Sequence, residues 1–400
     1  MAPNGIGLGN FWKALESGRS GISKIESFDA TGIPTQIAGE IKNLDITPWI
    51  DHKTARRIDR NAQLAIATAK QAVEDSGLDM TQEAIASRTG IVLGTAIGGQ
   101  TYMLEQDKVF LTKGPMKISP YSALNSFPDA CAGQIAIEIG SKGPSFAVST
   151  ACSSALDAIG ISLDLMRSGK LDFVITGGTE APLCGPIIAS FSVVRALSSF
   201  NEFPQKASRP FDKNRDGFVM GEGAGLLVLE EYEHAKKRGA KIYGEILGHG
   251  MTCDAYHMTA PHPEGEQQVR AVELALKNSG ITVDDVDYIN AHGTATPLND
   301  KMETLVIKTV FKDRAKKIPI SATKSMIGHL IGAAGGVELI ASLLGMKAVV
   351  IPPTINYTTP DPECDLDYVP LEARKSNIKT IMKNSFGFGG KNSVLIVRKV

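Results

Sequence analysis

The chain has 400 residues, of which 43% are apolar and 21% are charged, and its formal net charge is −1. This length and apolar content exclude a disordered protein and predict one large or two ordinary domains, each with a sizeable core. A charge near zero excludes a general attraction to nucleic acid or to an anionic membrane, so partners must be inferred from local features.

The beginning of the chain, residues 1–9, has neither a basic flank nor the apolar core of a signal peptide, which predicts a cytoplasmic protein. No membrane span is predicted, because the longest apolar stretches, such as residues 331–346, fall short of the roughly 20 residues that a span needs. The five cysteines stand far apart without a C-x-x-C pair, so we predict free thiols instead of disulfides or a zinc site.

A repeat is visible along the chain. Residues 65–98 predict a helix, a polar connection, a strand and then Thr-Ala, and residues 268–299 follow the same order about 200 residues later. A second, weaker pair is formed by residues 144–170 and 318–347, each of which predicts a strand, a turn and a helix. Two similarly folded halves explain these pairs better than coincidence does.

Strands and helices alternate throughout, and strands such as residues 173–176 and 225–230 are unbroken apolar runs. This pattern predicts an α/β fold with mainly parallel sheets covered by helices on both faces. We place the division between the halves at residues 1–240 and 241–400. In such folds the functional residues collect where strands end and helices begin.

Cys152 lies in the segment Ser149–Ala155, between an apolar strand and an amphipathic helix. At a helix N-terminus the free amides and the positive end of the dipole favour a thiolate, lower the thiol pKa and can bind an oxyanion. Cys152 is therefore a candidate nucleophile. The alternative is a buried structural cysteine, which is common in intracellular proteins.

Two histidines follow predicted strands in the second half. His292 is surrounded by small residues that leave room for a ligand, and His329 follows Lys324 ahead of a Gly/Ala-rich helix. Each histidine alone is as well explained by a structural role. Together with Cys152 they form the set that nucleophilic catalysis with basic or oxyanion-stabilising partners needs.

The glycine-rich segment Asn384–Ser393 stands between two terminal strands. Its small residues would let backbone amides approach a ligand, although a plain tight hairpin explains the same pattern. It is not a phosphate loop, because Ser385 and Asn392 break the required motif. No other segment has the ligand spacing of a calcium or zinc site, so no metal is predicted.

Four segments in this order resemble the beta-ketoacyl-acyl-carrier-protein synthases, most closely the class II elongating enzymes: Ser149–Ala155, Asn290–Asp300, Ser321–Gly336 and Asn384–Gly390. The similarity covers nearly the whole chain. It implies a thiolase-like fold with two similar halves and a decarboxylative condensation of an acyl-enzyme with malonyl carrier protein in fatty acid elongation. It implies no cofactor.

The resemblance also assigns roles to residues. It implies that Cys152 is the nucleophile, that His292 and His329 bind the thioester carbonyl and support malonyl decarboxylation, and that Lys324 sets the electrostatics around His329. The amides of Cys152 and Phe388 would form the oxyanion hole, and Phe388 would also gate malonyl entry.

Further residues are implied to contact the substrate and the carrier protein. The substrate-binding residues would be Thr294 and Thr296 on the pantetheine arm, Ile97 and Phe191 in the acyl pocket, and Phe386. An acidic acyl carrier protein would dock on a basic surface that includes Arg56, Arg57, Lys117 and Arg195, or these residues form an ordinary solvated face. A homodimer is also implied.

The chain departs from the family in two places. It starts at the turn Ala2–Gly5, which an apolar strand precedes in relatives, so a central strand is expected to be missing. Lys391 replaces the threonine that is usual there, which adds a cation near the site. The main alternative is a ketosynthase of a discrete polyketide or specialised lipid pathway; a noncatalytic partner subunit and a cysteine hydrolase fit the residues less well.

Overall fold

The computed structural model describes residues 1–400. The strands are β1 Ile22–Lys24, β2 Ile37–Gly39, β3 Thr89–Gly94, β4 Ser145–Val148, β5 Phe173–Glu180, β6 Gly223–Glu230, β7 Glu245–Cys253, β8 Tyr288–Asn290, β9 Ile320–Ser321, β10 Val350–Ile351, β11 Arg374–Lys375, β12 Thr380–Gly387 and β13 Lys391–Arg398. The helices are α1 Leu8–Glu16, α2 His52–Ala55, α3 Arg60–Ser76, α4 Glu83–Ala86, α5 Gln100–Lys113, α6 Ser122–Ser126, α7 Ala130–Ile139, α8 Ser154–Arg167, α9 Gly185–Val193, α10 Tyr232–Lys237, α11 Glu266–Ser279, α12 Pro297–Phe311, α13 Lys324–Ile327 and α14 Ala334–Ala348.

Each half has one mixed sheet at its centre. The first has the order β4-β3-β5-β6 and the second β7-β13-β12-β8-β9. Four neighbouring pairs are parallel and three are antiparallel, so the sheets are mixed and mainly parallel, as predicted. The strand β6, an unbroken apolar run, pairs with β5 in the antiparallel direction. Such a run indicates that both faces of the strand are buried, but it does not determine the strand direction.

Helices cover both sheets and also separate them. On the outer faces, α3 and α7 pack on the first sheet, and α11 and α12 lie against the second. In the layer between the sheets, α8 contacts β3, β5 and β13, while α14 contacts β5, β6 and β12. The fold is α/β with five layers, and it places the N-termini of α8 and α14 between the two halves.

The repeat predicted from the sequence is confirmed by the elements it contains. In the first half α3 leads to β3, and in the second half α11 leads to β8. Both helices end at a glycine in the left-handed conformation, Gly77 with φ 68° and Gly280 with φ 65°, which only glycine adopts without strain. All five cysteines are free thiols, as predicted.

The two sheets differ at one edge. In the second sheet β7 covers β13, whereas in the first sheet β6 faces a groove of about 940 Å³ lined by apolar residues of β6 and α14 and by mostly polar residues of α3. The first sheet has four contiguous strands and the second has five, and the position that β7 fills in the second sheet has no counterpart beside β6. The expectation of one strand fewer is therefore confirmed, but its central position is wrong, because that place lies at the edge of the sheet. One helical stretch, Ile331–Ala348, is long and apolar enough to span a membrane, and it is mostly buried inside the protein.

Candidate active site

Cys152 sits at the tip of a strained turn. The chain leaves β4, adopts a positive φ of 52° at Ala151, and then forms a single 3-10 turn, Ala151–Ser153, that continues into α8. A non-glycine residue rarely adopts this conformation, so the surrounding structure must hold it in place. The Thr150 hydroxyl donates to the Asp157 carboxylate at 2.6 Å, which ties the turn to the first part of α8.

The glycine-rich hairpin of the second half packs against this turn. The Ser153 hydroxyl donates to the carbonyls of Ser385, at 3.1 Å, and Lys391, at 2.8 Å. A Cβ atom at Gly387 would lie 3.1 Å from the Cys152 amide nitrogen, so only a glycine fits this approach without strain. The Phe388 amide approaches the Cys152 sulfur closely enough to lower its pKa, so the hairpin brings a second amide donor to the nucleophile.

The electrostatics of Cys152 differ from the sequence-based expectation. Burial raises the pKa of the thiol to about 11, and it outweighs the Phe388 amide and the Lys324 charge, which both lower the pKa. The helix N-terminus was expected to favour a thiolate, but that effect is smaller than the cost of a charge in a site closed to water. The resting nucleophile is therefore a neutral thiol.

Both predicted histidines lie beside this thiol. The His329 Nε2 atom is 3.0 Å from the Cys152 sulfur, and the rings of His292 and His329 stand edge to face with centroids 5.4 Å apart. His329 Nδ1 accepts a hydrogen bond of 3.2 Å from the Ile331 amide. In a neutral imidazole the proton then resides on Nε2, which faces the sulfur as a donor.

Both imidazoles are held neutral. Burial is the largest cause that keeps the pKa of His292 and of His329 well below the usual value, and the Lys324 and Lys383 ammonium groups add to it. The sulfur and one nitrogen from each ring lie within 4.8 Å of one another, a spacing that a metal ion could also bridge. Because Nε2 of His329 carries its proton, this arrangement suits hydrogen-bond donation better than metal ligation.

Lys324 lies beneath the histidines, as the sequence suggested. It is 1% exposed, its Nζ atom donates to the His292 carbonyl at 2.7 Å, and it binds the Glu338 carboxylate at 2.6 Å. The lysine thus holds the backbone of one histidine while its charge is balanced by an acid on α14. Both partners are buried, so breaking the pair would leave an uncompensated charge in the core.

An apolar cluster extends from the thiol toward the surface. Ile97, Phe191 and Phe388 belong to it, and the Phe191 and Phe388 rings stack with centroids 6.3 Å apart. Phe191 also meets Phe218 edge to face at 5.9 Å, and Phe218 meets His329 at 5.2 Å. The structure therefore brings together the residues predicted for an acyl pocket.

The other predicted residues fall into two places. The Thr294 and Thr296 hydroxyls are 2.9 Å apart just after His292, beside the site. Phe386 lies against His292, with ring centroids 6.0 Å apart, and packs into the core of the second half instead of the apolar cluster. The four basic residues expected to dock a carrier protein are all exposed: Arg56, Arg57, Lys117 and Arg195.

Three buried acids support the site and were missed by the sequence analysis. The Glu180 carboxylate accepts hydrogen bonds from the amides of Ala96, Ile97 and Gly332 at 2.7 to 3.0 Å, and burial raises its pKa. Glu303 accepts from the His292 and Gly293 amides at 2.8 Å each, and Glu338 binds the two lysines. A signal was present for Glu180, because it ends an otherwise apolar strand where a charged residue needs a buried partner.

Known proteins resemble this chain over its whole length. Residues 1–235 match the family profile of the beta-ketoacyl synthase N-terminal domain, and residues 243–358 match that of the C-terminal domain. A 3-oxoacyl-[acyl-carrier-protein] synthase 2 of Synechocystis sp. is 46% identical over 399 residues, covering 100% of this chain and 96% of the relative. One of Staphylococcus aureus is 47% identical over 399 residues with the same coverage.

Solved structures agree. A type II polyketide ketosynthase bound to its acyl-carrier protein superimposes with a TM-score of 0.91 at 37% identity, and a beta-ketoacyl synthase from Burkholderia phymatum with 0.92 at 34%. Each comparison covers 100% of this chain and 97% of the other. The fold and the site define a thiolase-like condensing enzyme that transfers acyl groups. The chain belongs to the beta-ketoacyl synthase family.

Proposed function

We propose that the protein is a 3-oxoacyl-acyl-carrier-protein synthase of the class II elongating type, with Cys152 as its nucleophile. The observation that carries this proposal is the contact of His329 Nε2 with the Cys152 sulfur at 3.0 Å, inside a buried group that also contains His292 and Lys324. The relatives that are 46% and 47% identical carry the same enzyme name and support this function.

In the first stage an acyl group moves to the enzyme. The Cys152 sulfur attacks the carbonyl carbon of an acyl-carrier thioester, and the amides of Cys152 and Phe388 bind the oxyanion that forms. The carrier sulfur leaves and takes the proton that Cys152 loses, so the products are acyl-Cys152 and free carrier thiol. This direct exchange suits a thiol that burial keeps protonated until the substrate arrives.

In the second stage a carbon–carbon bond forms. Malonyl carrier protein loses carbon dioxide, and the imidazole N–H groups of His292 and His329 stabilise the enolate oxygen. The enolate carbon attacks acyl-Cys152 and gives the beta-ketoacyl carrier product, after which the released thiolate takes a proton from solvent. Neutral imidazoles are the form that this step needs, because a donor must keep its proton while negative charge develops.

Mass spectrometry of the intact protein tests the assignment. Wild type and Cys152→Ala are incubated with acyl carrier protein and then with malonyl carrier protein. We expect an acyl adduct on wild type alone, followed by its loss and the appearance of a beta-ketoacyl carrier. A hydrolysed carrier without a longer product would support a cysteine hydrolase, and a folded wild type without any adduct would support a noncatalytic partner subunit.

We also propose that an acidic acyl carrier protein docks at Arg56, Arg57, Lys117 and Arg195. Their exposure supports this, as does the carrier bound to the related polyketide ketosynthase. Arg56→Glu/Arg57→Glu should raise KM for acyl carrier about tenfold at low salt, because it removes electrostatic steering. KM for a small-thiol acyl ester should not change. Lys170→Glu, at another exposed lysine, is the matched control.

We also propose a homodimer, which is supported by the surface beside β4, an open edge of the first sheet. Pairing of two β4 edges about a twofold axis would make one continuous sheet and cover the apolar residues nearby. Phe146→Lys should produce a monomer in sedimentation, whereas Val193→Lys, at an exposed site elsewhere, should not. Ile137 is an exposed apolar residue on α7, which packs against β4. The preceding elements α5 and α6 and the segments beside them carry further exposed apolar residues: Phe110, Leu111, Met116, Leu124 and Phe127.

A second candidate function is a ketosynthase of a polyketide or specialised lipid pathway. The solved polyketide ketosynthase and the ishigamide ketosynthase/chain length factor, at 37% and 36% identity, favour it. Analysis of the reaction products distinguishes the two functions, because repeated extension without reduction would indicate polyketide synthesis.

We propose that the enzyme is cytoplasmic, because its five free thiols would persist in that compartment. Membrane fractionation and a protease-protection assay test this location.

A further inference from the structure

Lys383 is a second buried lysine of the site. It lies on β12, is fully buried, and its Nζ atom is 2.6 Å from one Glu338 oxygen, Oε2. The other oxygen, Oε1, binds Lys324 at 2.6 Å. One carboxylate therefore lies between two ammonium groups.

The ammonium group of Lys383 also donates hydrogen bonds to two backbone carbonyls. It donates to the Asn384 carbonyl at 2.6 Å and to the Ala291 carbonyl at 3.3 Å. Lys324 donates to the next carbonyl along the chain, that of His292, at 2.7 Å. The two lysines thus hold consecutive peptide groups at the point where β8 ends and the catalytic histidine begins.

The charges of this group do not cancel. Lys324 and Lys383 share the single carboxylate of Glu338, so one of the two ammonium charges has no carboxylate of its own, and neither has access to solvent. The Glu303 carboxylate accepts hydrogen bonds from the His292 and Gly293 amides and from the Asn384 side chain, and from neither lysine. The other titratable groups facing this group are the Glu303 carboxylate on α12, the two imidazoles and the Tyr288 phenol. Burial lowers the pKa of Lys383 itself to about 8, while Glu338 favours the charged form, so Lys383 is charged at neutral pH.

We propose that Lys383 is a positioning residue for the condensation step: its charge keeps His292 and His329 neutral and stabilises the enolate without touching substrate. The inference rests on the proposed function, because the enolate forms only in that reaction. It extends beyond Lys324, since one lysine alone would be neutralised by Glu338. A positive charge behind hydrogen-bond donors lowers the energy of an anion that they bind.

Lys383→Met tests the charge. The rate of acyl transfer to Cys152, measured by mass spectrometry, should stay within about twofold of the wild-type rate. The rate of carbon dioxide release from malonyl carrier protein should fall about tenfold. The acid limb of the decarboxylation profile should move to higher pH by about one unit, because the imidazoles gain protons more readily without the lysine. An unchanged profile with an unchanged rate of decarboxylation overturns the proposal.

The double variant Lys383→Met/Glu338→Gln separates charge from scaffolding. It removes one positive and one negative charge, so the net charge returns to that of wild type. We expect the acid limb to return and most of the lost rate to be regained. A role for Lys383 as a mere strut predicts no recovery, since the hydrogen bonds to Ala291 and Asn384 stay broken.

A measurement on the wild-type protein covers the case in which these variants do not fold. The imidazole nitrogen shifts of His292 and His329, followed by NMR, should change with a midpoint near pH 8 as Lys383 loses its proton. Shifts that stay constant between about pH 7 and 9 contradict the proposal. This readout needs no carrier protein, so it stays informative if wild type forms no acyl adduct and the proposed function fails.

Discussion

Equivalent turns of the two halves have taken different tasks. In the first half the 3-10 turn Ala151–Ser153 leads into α8, and in the second half the 3-10 turn Ile331–Ala333 leads into α14. Both begin with a non-glycine residue at positive φ, 52° at Ala151 and 46° at Ile331. The middle residue is Cys152, the proposed nucleophile, in one turn and Gly332 in the other.

The difference shows how a duplicated fold can build one site from two halves. The amides of Cys152 and Phe388 face the Cys152 sulfur, whereas the Gly332 amide donates to the Glu180 carboxylate at 2.9 Å. In the second half residues 322–330 connect β9 to its turn, whereas residues 149–150 alone connect β4 to the turn of the first half, and the longer connection contains Lys324 and His329. The first half thus provides the nucleophile, and the second half provides the donors and charge.

The largest expected effect is on catalysis, when the turn of the first half loses the sulfur that the turn of the second half also lacks. Cys152→Ala removes the sulfur, so acyl transfer and condensation should fall by at least about 10⁴, the scale on which a lost nucleophile costs an enzyme. The free energy of unfolding should change by less than about 1.5 kcal/mol, because the replacement is small and apolar. Steady-state rates and urea unfolding measure both. A variant that keeps its condensation rate would remove Cys152 from the mechanism.

The two equivalent helices of the repeat, α3 and α11, give the next effect. The helix α3 begins at a buried carboxyl, Asp59, whose pKa burial raises to about 7, whereas α11 begins at Gly265. Between pH 4 and 7 the folded state binds a proton that the unfolded state has lost, so stability should fall as pH rises through this range. Three pH units correspond to at most about 4 kcal/mol.

Asp59→Asn checks this sign, because asparagine also caps a helix but does not titrate. Urea unfolding of both proteins at pH 4, 6 and 8 should show wild type losing stability relative to the variant as pH rises. A wild type that gains stability over the variant between pH 4 and 8 would mean that Asp59 is ionised in the folded protein.

A methyl group at Gly332 should have a smaller effect. In Gly332→Ala the new carbon would lie 2.4 Å from a Glu180 oxygen and 2.5 Å from the Ala96 amide nitrogen. We expect a loss of about 1 to 3 kcal/mol in the free energy of unfolding, as for other overpacked sites. Gly133→Ala, in α7 with open space around it, is the matched control and should not lose stability. Equal results for both would show that Glu180 does not need close contact with this turn.

The sequence predicted what is local. Cys152, His292 and His329 stand out because each follows a strand within a few residues, and the repeat predicted two similar halves. Three features depended on tertiary structure and were not predictable: the thiol pKa, which burial raises instead of lowering, the direction of β6, and the pairing of Glu338 with Lys383. Residues that come into contact only when distant segments of the chain pack together have no characteristic spacing in the sequence.

The last expected effect concerns the edges of the two sheets, and it changes only the rate of amide hydrogen exchange. In β6 the amide and carbonyl of Ala224 pair with Met1, at 3.0 and 2.7 Å, on the side of the groove. Because backbone groups alternate along a strand, the Leu226 and Val228 amides face the same groove, while the Leu227 amide faces β5. Neighbouring amides of β6 should therefore differ in protection.

Hydrogen exchange followed by NMR measures this difference. We expect Leu226 and Val228 to exchange at least about a thousandfold faster than Leu227, since their amides have no strand partner. In β13, which lies between β7 and β12, neighbouring amides should be protected alike. Equal protection along β6 would mean that another segment pairs with this edge in solution. The contrast between the halves would then lie in their turns and not in their sheets.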